Sequence, residues 1–176
     1  MFRILITTSV LCLFGAPLVI AGPDDFHAGT IVKDYGKVAS VPSALPLVEG
    51  TTFKVVFDVA EAAAAGSVNR RMASAARFLN MHGEAGIAVE DINVAIVVHG
   101  AAAMDLVNDE RYGGENANAG LIAALVEAGV AIELCGQTAA YREITADDLL
   151  PGVELSLSAM TSHALLQQEG YTLNPF

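Results

Sequence analysis

From residue 51 onward, short apolar runs alternate with stretches of helical periodicity, and this alternation limits the chain to few architectures. The runs at 53–59, 92–98, 130–135, 153–157 and 171–173 are five to seven residues or shorter and rich in Val, Ile and Leu. Several are apolar at consecutive positions rather than at every second one, the pattern of strands covered on both faces. Between them lie segments with apolar residues three and four apart. Val68, Met72, Ala75 and Leu79 mark a helix over about 67–83, and Leu121, Ala124, Leu125 and Ala128 mark another. Residues 101–107 and a stretch from Thr145 to Pro151 read as short helices, and Ser158 caps a helix over about 159–169. Asn116 is the expected cap of the helix that ends at Gly129. Strands alternating with helices predict an α/β domain, a three-layer sandwich around a mostly parallel sheet of about five strands.

The N-terminus is of a different kind. Residues 1–21 have a single positive charge at Arg3, an apolar stretch and small residues up to Ala21, the organisation of a secretory signal peptide. The stretch is short for a membrane span. The expectation is a periplasmic or secreted protein that starts near Gly22 and has no stable membrane insertion. Cys12 leaves with the signal, so Cys135 is the only cysteine of the mature chain. Residues 22–50 hold three prolines and four glycines and read as an irregular arm, with a short strand near 29–32. Asp24, Asp25 and His27 on that arm read as solvated rather than as metal ligands. Residues 51–176 form the α/β domain.

Twenty acidic against nine basic residues give a net charge of −11, and no basic cluster relieves it. Nucleic acid is therefore excluded as a partner, since phosphate binding needs Lys and Arg. The sequence has no CxxC, HExxH or GxxxxGK[ST] pattern and implies no metal or other cofactor.

What remains for chemistry lies at strand ends. Cys135 closes the run Val130–Leu134, and Gly136 follows at once. Ligands gather at the carboxyl ends of strands in open α/β sheets. A thiol there becomes nucleophilic when backbone N–H groups or a helix N-terminus face it. His99 ends the run at 92–98 in the same way and can stabilise a thiolate or move a proton if the two strands are neighbours. Gly136, Gln137, Thr138 and Gly100 are the residues expected to frame whatever binds beside the thiol. The alternative is a packed, inert cysteine in a non-catalytic module. His82 and His163 fall inside helices and read as ordinary surface or half-buried positions. The polar loop 108–118, with Arg111, Tyr112 and Asn116, reads as a solvent loop, a lid or a subunit contact.

Four short motifs, in order and spacing, carry a resemblance. Val97-Val98-His99-Gly100, Leu134-Cys135-Gly136-Gln137-Thr138, Leu150-Pro151-Gly152-Val153 and Gln167-Gln168-Glu169-Gly170-Tyr171 together resemble the DsrE/DsrF-like family, which includes the sulfur-relay subunits of the TusBCD type. The resemblance spans residues 52–176. It implies a parallel α/β sandwich that assembles as trimers or hexamers. It also implies a cysteine, here Cys135, that accepts sulfane sulfur as a persulfide and passes it to a partner protein. Relay members work in the cytoplasm, so an exported chain implies a different sulfur donor and acceptor.

Overall fold

A computed structural model describes residues 22–42 and 44–176. The expected signal sequence and Cys12 lie outside the described residues. Five strands form one all-parallel sheet: β1 (Phe53–Val59), β2 (Ile92–Val98), β3 (Ala131–Cys135), β4 (Val153–Ser156) and β5 (Thr172–Asn174). Their spatial order is β4-β3-β2-β1-β5. The helices are α1 (Arg70–Glu84), α2 (Asp109–Tyr112), α3 (Ala119–Glu127), α4 (Gly136–Tyr141) and α5 (Ala159–Gln168).

The main core lies on the face covered by α1 and α3. Val55, Phe57 and Val59 of β1, Val94, Ile96 and Val98 of β2, and Ile132 and Leu134 of β3 point there. They pack against Met72, Leu79, Leu121 and Leu125. Burying each such side chain stabilises the fold by about 1.5–3 kcal/mol. The opposite core is smaller: Val56, Ala95 and Val97 from the sheet meet Leu166 of α5, with Ala159 and Tyr171 beside them. A single helix covers this face because β4 and β5 are the two edge strands, and α5 is the helix of the connection between them.

Helix ends follow the chemistry of their caps, with some corrections to the expected boundaries. Asn69 accepts from the N–H groups of Arg71 and Met72, so α1 starts at Arg70 and not near residue 67. Residues Gly100–Leu106 form a 3-10 helix. Within the expected polar loop, Asn108 accepts from Arg111 N–H and starts the one-turn α2, which Gly113 ends at φ 83°. Asn116 does not cap α3; Asn118 occupies that position. Asn116 is buried and donates to the carbonyls of Asp105 and Val107. It is thus used up in holding the preceding loop. Arg111 donates to the carbonyl of Arg142.

The arm has no strand at 29–32. Among the described residues its one ladder contact is an antiparallel bridge between His27 and Val38. Buried Asn80 of α1 holds the arm instead. It accepts from the N–H of Val32 (2.8 Å) and donates to the carbonyls of Val32, Tyr35 and Gly36. Val32 and Val38 are thereby buried. His27 pairs with Glu84 at 3.2 Å, and no group among the described residues could hold a metal ion.

Candidate active site

Side chains alternate across a sheet, so residue parity decides which face each strand end serves. On β1 the residues turned toward α5 are Val56 and Asp58; on β2 they are Ala95 and Val97, with His99 next in step; on β3 they are Glu133 and Cys135. The register pairs Asp58 with Val97 and Ala95 with Ala131, so β1, β2 and β3 are consecutive neighbours. Asp58, His99 and Cys135 therefore meet at the carboxyl end of the sheet on the face with the smaller core. They line one open cleft of about 580 Å³, together with Thr138, Ser158, Met160 and His163.

Cys135 is the N-cap residue of α4 and lies beside the start of α5. It is a free thiol and almost buried, at 6 % exposure. Burial pushes the thiol up. Hydrogen bonds from the backbone N–H of Ala159, the hydroxyl of Thr138 and the N–H groups of Thr138 and Gln137 favour the thiolate and together outweigh burial. The net result is a thiol held below its ordinary range. Gly136 makes this possible without lining the cleft. A Cβ there would collide with the carbonyl oxygen of Ser156, so glycine lets the β3–α4 turn press against β4.

The other expected residues divide in the same way. Gln137 and Thr138 line the cleft, and Gln137 Nε2 donates to the carbonyl of Leu157 at 3.3 Å. Gly100 does not line it. Its N–H donates to Thr138 Oγ1 at 3.3 Å, its φ of 60° suits glycine, and its carbonyl accepts from Arg142 Nε at 2.9 Å. It orients the hydroxyl that faces the sulfur.

His99 is in the cleft with Cys135, as expected for neighbouring strand ends. Its Nε2 lies 3.1 and 3.2 Å from the two carboxylate oxygens of Asp58. His163 corrects the reading of it as an ordinary helix position. It enters the cleft from α5, and its Nε2 lies 2.8 Å from Asp58 Oδ1. Burial pushes the Asp58 carboxyl up, but the hydrogen bonds from His163 and His99, with electrostatic attraction to the two rings, hold it below the usual carboxylate range. His82 stays outside the site, with its ring against Phe53 and Phe78 and its Nδ1 2.7 Å from the carbonyl of Phe78.

Asp58, His163 and the donor N–H of Ala159 are the parts that the sequence reading missed. The signal for Asp58 was parity. The signal for His163 was spacing: Ala159, Ser162, His163 and Leu166 form an i, i+3, i+4, i+7 stripe toward the sheet. Its two polar members meet two polar strand residues, since Ser162 Oγ donates to Glu133 Oε2 at 2.5 Å.

The sequence profile of the DsrE/DsrF-like family matches residues 54–175. Two solved structures share the fold. One is a protein of unknown function, MTH1491 from Methanobacterium thermoautotrophicum, with 22% identity and a TM-score of 0.56 over 70% of this chain and 99% of that one. The other is the ychN protein from E. coli, with 16% identity and a TM-score of 0.53 over 71% of this chain and 100% of that one. No curated protein matches the chain.

Proposed function

The chain belongs to the DsrE/DsrF-like family, and on that premise we propose that it is a sulfur carrier that holds sulfane sulfur as a persulfide on Cys135. The observation that supports this reading is the cradle of the thiol. Four donors from two helix starts face a single sulfur at the floor of an open cleft. A structural cysteine gains nothing from donors that favour its anion, whereas a nucleophile does.

The step balances with a hydropersulfide donor, R–S–SH. The Cys135 thiolate attacks the outer sulfur; the Sγ–S bond forms as the donor S–S bond breaks. The departing thiolate takes the electron pair and, in the end, the proton of the transferred sulfur. Cys135 is left as a persulfide anion and the donor as R–SH. The same donors that face Sγ then lie beside the terminal sulfur, which an acceptor thiol attacks in turn. His99 is the cleft base nearest in role to the proton movement.

Incubation with cysteine hydropersulfide or polysulfide should add about 32 Da per sulfur atom to the intact mass, the increment reversed by dithiothreitol. Cys135→Ser should add none. Equal masses for the two proteins after treatment would sink the reading and leave a binding module with a packed cysteine. The proposal also places the protein outside the cytoplasm. The intact mass of the exported form should then match a chain that begins near Gly22, and retention of Met1 would contradict that placement.

A further inference from the structure

Sulfur transfer needs a thiolate and a route for one proton, but not two imidazoles on one carboxylate. Here both rings use the same nitrogen on the same group: Nε2 of His99 and Nε2 of His163 each lie against Asp58. An ionised carboxylate only accepts hydrogen bonds, so both rings must present N–H at Nε2. Their other nitrogens differ. Nδ1 of His163 is buried and meets no hydrogen-bond partner among the described residues. A proton there would be an unpaired buried donor, which is costly, so Nδ1 of His163 is bare. The His99 ring is one-third exposed and lines the cleft with Cys135, and the bond to Asp58 uses its Nε2 and leaves Nδ1 free of the carboxylate. Arg142 is held by the backbone of the residue after His99, its Nε donating to the carbonyl of Gly100. Glu133, on the same sheet face, is engaged by Ser162.

We propose that Asp58 and His163 are positioning residues that set the tautomer of His99. This rests on the sulfur-carrier reading of Cys135. His163 and Asp58 form the fixed half of the device. Its working half is His99, whose Nδ1 takes the proton from the transferred sulfur and gives it to the departing thiolate. The ring ends as it began, and no further reactant is needed. The division explains why two histidines converge on one aspartate: one spends both its burial and its N–H on holding the carboxylate, and the other is left free to turn over.

Long-range 1H–15N NMR of the 15N-histidine-labelled protein at neutral pH reads the tautomers directly, with no sulfur chemistry. Both rings should carry the proton on Nε2, and Asp58→Ala should convert His99 to a tautomer mixture. Sulfur uptake from cysteine hydropersulfide should fall at least about tenfold in Asp58→Ala and in His163→Leu. It should return to within about twofold of wild type in His163→Gln, whose amide N–H can reach the carboxylate. Alkylation of Cys135 should keep its wild-type rate in all three, which shows that the thiol and fold are intact. A proton on Nδ1 of either ring in the wild type overturns the proposal, a result that does not depend on how the variants fold. So does equal uptake by His163→Leu and His163→Gln. Tight binding of zinc that perturbs both rings also overturns it, in favour of a metal centre. Wild-type protein that takes up no sulfur defeats the carrier reading itself. Uptake that is indifferent to Asp58 and His163 defeats only their assigned role.

Discussion

At Cys135 two opposing effects act on one sulfur, and the donors decide the outcome. Burial alone would keep the thiol protonated and inert. The N–H of Ala159 is the strongest of the hydrogen-bonding influences that reverse this, ahead of the Thr138 hydroxyl. The fold allows each to be removed alone. Ala159 is the first residue of α5, where proline is tolerated because its N–H has no partner within the helix. Ser158 before it is already extended, at φ −163° and ψ 160°, as a residue preceding proline prefers. Ala159→Pro should therefore keep the helix and delete the donor. Thr138→Val keeps the shape and deletes the hydroxyl. Iodoacetamide alkylation followed against pH should show the thiolate appearing at higher pH in both variants, and at the highest in Ala159→Pro. If the two profiles superimpose on that of the wild type, the cradle does not control the thiol.

At the scale of elements, the site is a product of register. β3 must stop at Cys135, and the chain must turn at once beneath β4, with Cys135 opposite Ser156. Gly136 is the only residue type that fits that turn. Gly136→Ala should cost about 1–3 kcal/mol in urea unfolding, the usual penalty of overpacking. Gly114→Ala, with open space around it and no positive φ, should stay within about 0.5 kcal/mol. An unchanged midpoint for Gly136→Ala would mean that the β3–β4 junction is looser than its geometry. This junction also shows what the sequence could and could not reveal. Apolar runs and a strand-final cysteine made all five strands legible, with β1 and β2 to the residue. The same strands also encoded Asp58, His99 and Cys135 on one face, because they differ from their strand neighbours by even steps. Seeing that required the strand order, which apolar patterning does not carry. His163 was harder still: on a short stripe with only Ala159 and Leu166 apolar, a histidine looks like a surface residue until its partner is in place. Asn116 misled for a related reason. Asn caps helices and also satisfies buried loop carbonyls, and only tertiary contacts decide which.

At the scale of the whole molecule, the two faces of the sheet are unequally covered, and the site lies on the poorer one. α1 and α3 seal the large core, while α5 alone covers the other face. Around the start of α5 the surface is apolar: Leu157 is 71 % exposed and Met160 81 %, with Leu155 on the edge strand β4 close by in sequence. An edge strand with free backbone groups beside exposed Leu and Met is a surface suited to association. Leu157 and Met160 flank Ser158 and Ala159, so a subunit seated there would border the cleft and narrow the approach to Cys135. Net charge opposes assembly, since −11 per chain makes copies repel one another at low ionic strength. The expected outcome is a self-associated protein, a trimer or a multiple of it, whose mass by light scattering holds or rises as salt screens that repulsion. Leu157→Lys with Met160→Lys should shift the mass toward the monomer and raise the accessibility of Cys135 to a bulky thiol reagent. A monomer at about 10 μM in both low and high salt would refute the assembly. An oligomer indifferent to the double substitution would move the interface elsewhere, to the opposite edge at β5, where Leu173 and Phe176 are the exposed apolar residues.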